Sequence, residues 1–198
     1  MKHITKYNLC YLFLILVFFG SSLAYGVYYG NATVPIIGLL AVFLLPGIIQ
    51  GFFWHDFFLG RRFVRRAKWD EAVIHFEKFL EHLKNHHWLK KMIFLRWSSY
   101  TSNVEAMAWS NIGVVQINRN QKDKAEQSFL NASKADPLYP VPYFNLAVIA
   151  QLKDDETAAR TLWEKSQELG YNKGEFSQIV KLAAMIENKK DNPEKQEE

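Results

Sequence analysis

The chain has 198 residues, enough for one to two compact domains, with 22% charged residues and a formal net charge of +4. A single cysteine, Cys10, excludes a disulfide within the chain and any metal site assembled from several cysteines. The mean hydropathy of −0.15 is unremarkable for a soluble protein, but it averages over two very different parts of the chain.

Residues 9–30 carry no charged side chain, and neither do residues 33–54. Each run approaches the ~20 residues that cross a bilayer core. The sequence predicts two transmembrane helices over 9–30 and 33–54, turning at Gly30, Asn31 and Ala32, with Pro35 in the first turn of the second. A cleaved signal peptide is the rival for the first run, with Lys2 and Lys6 ahead of it and Ser22 and Ala24 as small residues before a cut. The length of the run, and its passage almost directly into another, favour the hairpin. Gly26 with Gly30 and Gly47 with Gly51 match the small-xxx-small spacing of close membrane-helix packing, within the hairpin or in a homo-oligomer.

Charge placement sets the expected orientation. Lys2 and Lys6 precede the first run, the connecting turn has no Lys or Arg, and Arg61, Arg62, Arg65, Arg66 and Lys68 follow the second. Both termini are then cytoplasmic, at a bacterial inner membrane. The basic run lies at the membrane surface against anionic headgroups of the lipid bilayer, and nucleic acid is not an expected partner.

The rest of the chain reads as helices. Trp109, Ile112, Gly113, Ala125, Phe129 and Ala132 each return 34 positions later as Tyr143, Leu146, Ala147, Ala159, Trp163 and Ser166. This period, with small residues at the eighth and twentieth positions and aromatics at the fourth and twenty-fourth, resembles the tetratricopeptide repeat. Two copies cover residues 106–139 and 140–173, and an earlier one at 53–86 places Gly60, Ala72 and Phe76 at the eighth, twentieth and twenty-fourth positions. Its first helix begins inside the second apolar run, so that run is expected to pass into the repeats without a loop. Asp154 and Asp155 are candidate N-caps and Gly170 a C-terminal stop.

Residues 87–105 are an insert whose "WLKKMIFLRW" has two readings: a basic amphipathic helix on a membrane surface, or an extension of the first repeat buried against its neighbours. Residues 175–187 have the spacing of a capping helix, and the charged tail 189–198 has the composition of a disordered segment. The expected fold is therefore all-α: a two-span hairpin (1–54), then an α-solenoid of about three tetratricopeptide helix pairs with a C-terminal capping helix (53–188).

The resemblance implies a scaffold that binds proteins, not an enzyme. It places Met107, Ser110, Val114 and Ile117 of one repeat, and Val141, Phe144, Val148 and Gln151 of the next, on a concave, largely apolar groove. Asn111 and Asn145 recur at the sixth position, where each side chain either bonds a ligand backbone or is structural. No glycine-rich phosphate loop, nucleophile elbow or zinc-protease helix motif occurs, and no cofactor is expected. His75, His82 and His86 share one helical stripe beside Ala72, Phe76, Phe79 and Leu83, and polar residues edging an apolar stripe account for them better than metal ligands do. A subunit of a larger membrane assembly, for secretion or polysaccharide export, is the alternative role.

Overall fold

α1 (Lys2–Tyr29) and α2 (Thr33–Phe53) form an antiparallel hairpin in the computed structural model, which describes residues 2–30, 33–90, 101, 103–171 and 174–191. All the regular structure among these residues is helical. The glycine that lets the two helices meet is Gly38: a Cβ there would lie 3.0 Å from Ser22 Oγ and 3.3 Å from the Phe18 ring. Gly26 is buried, Gly30 takes a left-handed turn at φ 63°, and a Cβ at Gly47 or Gly51 would meet nothing within 4 Å.

Among the described residues no helix is long and apolar enough to cross a membrane. This overturns the integral-membrane placement, and the bacterial inner-membrane orientation with cytoplasmic termini falls with the spans it rested on. Freedom from charge is a weaker property than apolarity, because every polar group is penalised in hydrocarbon. α1 opens with Lys2, His3, Lys6 and Asn8 and carries Ser21 and Ser22 in its second half, while Gln50 of α2 is buried within the protein.

The remaining helices pair in sequence: α3 (His55–Arg65) with α4 (Trp69–Asn85), α5 (Val104–Asn118) with α6 (Lys122–Ala135), and α7 (Pro140–Gln151) with α8 (Glu156–Glu168). Packing of α4 on α5 and α6 on α7 joins the pairs. In the first two pairs an aromatic ring lies directly on a glycine. A Cβ on Gly60 would come within 2.8 Å of the Phe76 ring, and one on Gly113 within 2.6 Å of Phe129. Ala147 holds that place in the third pair and its Cβ fills the space; Trp163 is only half-buried, against Phe176 at 5.8 Å.

The turns between paired helices also repeat. Ala67, Asn120 and Asp154 occupy the same place in successive pairs, at φ 54°, 56° and 60°. The next amide reaches back five residues in each case, Lys68 to Phe63 O at 3.0 Å, Gln121 to Gln116 O at 2.8 Å and Asp155 to Ala150 O at 3.0 Å, the Schellman end of a helix. Asn and Asp tolerate this conformation, whereas alanine is strained in it. Ala67→Gly is therefore expected to raise stability by roughly 0.5–1 kcal/mol, strain relief exceeding the entropy that glycine adds to the unfolded chain. Urea unfolding checks this, and a lower midpoint for the variant rejects it.

α2 passes into α3 with Trp54 as the single residue outside either helix. Trp54 N donates to Gln50 O at 2.8 Å and Phe58 N to Trp54 O at 3.0 Å, so helical hydrogen bonding continues across the junction. Trp54, Phe57, Phe76, Phe79 and Leu83 form the core there with Leu89, which belongs to a short turn of tighter helix over 87–90. Leu89 is buried and the Trp88 ring lies 4.9 Å from Phe53, so the first residues of the insert pack against their neighbours; residues 91–100 lie outside the described residues.

α9 (Ser177–Asp191) begins two residues later than the expected capping helix and ends four later, taking in Lys189; residues 192–198 of the expected disordered tail lie outside the described residues. It packs on α7.

Candidate functional site

The ten expected groove residues lie on α5 and α7, the first helices of their pairs, and none of them is fully exposed. Met107 packs against the core of the first pair. Val114 and Ile117 pack against Ala125, Phe129, Leu146 and Ile149, so they join the second pair to the third. Phe144 and Val148 are buried in a cluster with Leu152 and with Ile179 and Ala183 of α9, and the Tyr171 ring lies 5.0 Å from Phe144. Ser110 is buried, and Val141 and Gln151 are half-buried. Phe144 and Val148, the buried apolar residues of the expected groove on α7, are thus covered by α9.

Asn111 Nδ2 donates to Met107 O at 2.7 Å and Asn145 Nδ2 to Val141 O at 3.1 Å. Both side chains bond their own helix one turn back, the structural alternative for this recurring asparagine. The Gln151 Oε1 atom is buried with no partner among the described residues.

A second recurrence follows the same register and was not singled out in the sequence. Arg119 Nη1 meets Asp70 Oδ1 at 2.7 Å, and Lys153 Nζ meets Asp123 Oδ1 at 3.0 Å and Glu126 Oε2 at 2.7 Å. Each cation follows the first helix of one pair, and Asp70 and Asp123 open the second helix of the pair before, with Glu126 one turn further on. The third pair has Thr157 at the place of Asp70 and Asp123, and among the described residues the single helix α9 comes after it. The signal was available, since Arg119 and Lys153 stand one 34-residue period apart. The Lys153 ammonium is held above the ordinary lysine value of 10.5 by its hydrogen bonds to Glu126 and then Asp123. A raised base contributes fully below its unfolded pKa and loses the contribution as pH rises through its folded value, so this tie persists through neutral pH. Such exposed pairs are worth at most about 1 kcal/mol each, and they set register more than stability.

The arginines Arg62, Arg65 and Arg66 are exposed, Arg61 is half-buried, and Lys68 lies 3.7 Å from Glu71. His75 does not converge with the other histidines. Its Nδ1 lies 2.8 Å from Asp56 Oδ1 and its ring stacks on Phe63 at 5.2 Å, while the His82 and His86 rings lie 4.6 Å apart. No group of three or more His, Cys, Asp or Glu placed to hold a metal occurs among the described residues. A cavity of about 340 Å³ opens between α4 and α5, lined by Leu80, Glu81, Lys84, His87, Lys90, Glu105 and Trp109. Its Lys90 and Glu105 are already paired across the opening.

Among the described residues large apolar side chains are exposed along the hairpin: Val27, Tyr28, Ile48 and Phe52 are 79%, 82%, 63% and 77% exposed. No protein-family model matches the chain, and no curated protein matches it.

Proposed function

We propose that the chain is a tetratricopeptide-type scaffold that binds another protein along the face made by α5 and α7. The observation that carries this reading is the common register of three helix pairs. Glycine or alanine at 60, 113 and 147, a left-handed residue at 67, 120 and 154, and ties from Arg119 and Lys153 to the preceding pair all fall at equivalent places. Stacked pairs of this kind present a continuous face of first helices, and such faces serve recognition. Met107, Asn111, Val141 and Asn145 are among the half-buried, partly accessible residues of that face.

Site-specific crosslinking tests it. A photoreactive residue in place of Met107 is expected to capture a defined protein in cells, while the same residue in place of Glu164, exposed on α8, captures none. Equal adducts from both positions, or none from Met107, would reject the scaffold reading.

The apolar hairpin supports a second reading, in which the chain is one subunit of a larger assembly that covers α1 and α2. Exposed apolar patches of this extent mark interaction surfaces. Deletion of residues 2–53 then removes the chain from that assembly while the crosslink from Met107 persists. A deletion variant that stays in the assembly rejects this reading.

A further inference from the structure

α9 does not extend the stack. At each earlier junction the second helix of one pair packs on the first helix of the next, α4 on α5 and α6 on α7, whereas α9 lies along α7 and meets α8 mainly at its start, where Phe176 packs on Trp163 and Arg160. It therefore lies on the very face that the other first helices present. Phe144, Val148 and Leu152, one helical turn apart on α7, are 8%, 3% and 7% exposed beneath it. The side chains fully buried in the groove are Ile179 and Ala183, 0% and 4% exposed and again one turn apart, with Phe176 and Ile186 half-buried against the same cluster. One polar tie accompanies them: Lys122 Nζ lies 3.4 Å from Glu187 Oε1 and 3.3 Å from Leu152 O.

The footprint is small. Val180, Leu182 and Met185 of α9 stay 44%, 38% and 65% exposed, so the helix contributes few buried side chains to its own docking. An element with so few buried contacts belongs to the least stable part of a fold and opens locally before the rest.

We infer that α9 is an exchangeable occupant of a helix-binding groove on α7, one that masks it until a partner helix takes its place. The inference rests on the scaffold reading and names the partner's chemistry: an amphipathic helix with a branched apolar residue, a small apolar residue one turn on, and a carboxylate one turn beyond to meet Lys122. α9 shows that pattern in Ile179, Ala183 and Glu187, and helix-in-groove recognition uses this spacing of anchors.

The test uses a fluorescein-labelled peptide of residues 174–191 as the partner helix, added to the full chain and to the Ile179→Asp, Ala183→Asp chain. The charged variant releases its own α9, so it is expected to bind the peptide about tenfold or more tightly than the unmodified chain, because a tethered competitor acts at high effective concentration. Adding Val148→Asp is expected to abolish that binding. Equal affinity for both chains, or binding that survives Val148→Asp, overturns the inference; a dimer that exchanges α9 between two copies overturns the separate partner. If the charged variant loses its helical circular dichroism, Ile179→Ala replaces it with the same direction of change, and no change overturns the inference. Peptide exchange that persists when crosslinking from Met107 fails would reject the scaffold reading and leave the groove standing.

Discussion

Replacing Gly113 by valine is expected to cost about 3 kcal/mol of stability, the upper part of the range for overpacking a core. A Cβ at this position would sit 2.6 Å from Phe129, whose side chain is fully buried, and the contact is with the body of the ring, not with a flexible chain end. The ring cannot retreat, because Ala125, Leu146 and Ile149 surround it. Combining Gly113→Val with Phe129→Leu should recover part of the loss, since the smaller side chain makes room, and the departure from additivity reports the direct contact. Gly47→Ala is the control: a Cβ there meets nothing within 4 Å, and the helix gains up to about 1 kcal/mol of propensity. Urea unfolding measures all of these, and a loss below about 0.5 kcal/mol for Gly113→Val would reject the ring-on-glycine contact as the element that seats α5 on α6.

Trp54→Ala is expected to cost about 3–5 kcal/mol, as for a large aromatic removed from a core. The side chain is fully buried, with Phe57 and Phe79 both at 5.9 Å, and it stands at the one residue between α2 and α3. Trp54→Phe should cost far less. The Trp54 Nε1 atom is buried with no hydrogen-bond partner among the described residues, so losing that N–H removes an unmet donor as well as ring volume. The pair of variants separates volume from polarity, and a phenylalanine variant as unstable as the alanine one would show that the indole N–H has a partner. The alanine variant should also loosen the hairpin from the helix pairs, seen as faster hydrogen exchange in α3 than in α7.

Both outcomes bear on how the molecule could work. The helix pairs are held in register by rings on glycines in the first two pairs, left-handed turn residues in all three and ion pairs between successive pairs. α9 is attached to that face by a handful of side chains. The hairpin is attached through Trp54 and the short turn at Leu89.

The all-helical fold, the pairing of helices and the equivalence of Gly60, Gly113 and Ala147 follow from residues three to four apart and from one 34-residue period, so they were legible in the sequence. Asp155 was legible as a cap and fills that role, its carboxylate accepting from Ala158 N at 2.9 Å. The hairpin was legible as two helices built on uncharged runs, but counting charges misjudged them as spans, because polar uncharged groups weigh against transfer as well. The repeat pattern located the candidate groove residues on α5 and α7 and left open whether they are free. Val114 and Ile117 serve the junction between pairs, Asn111 and Asn145 bond their own helices, and α9 covers Phe144 and Val148. Periodicity records which side of a helix is apolar; what covers that side is decided by contacts between residues distant in the chain, and only the tertiary structure brings those together.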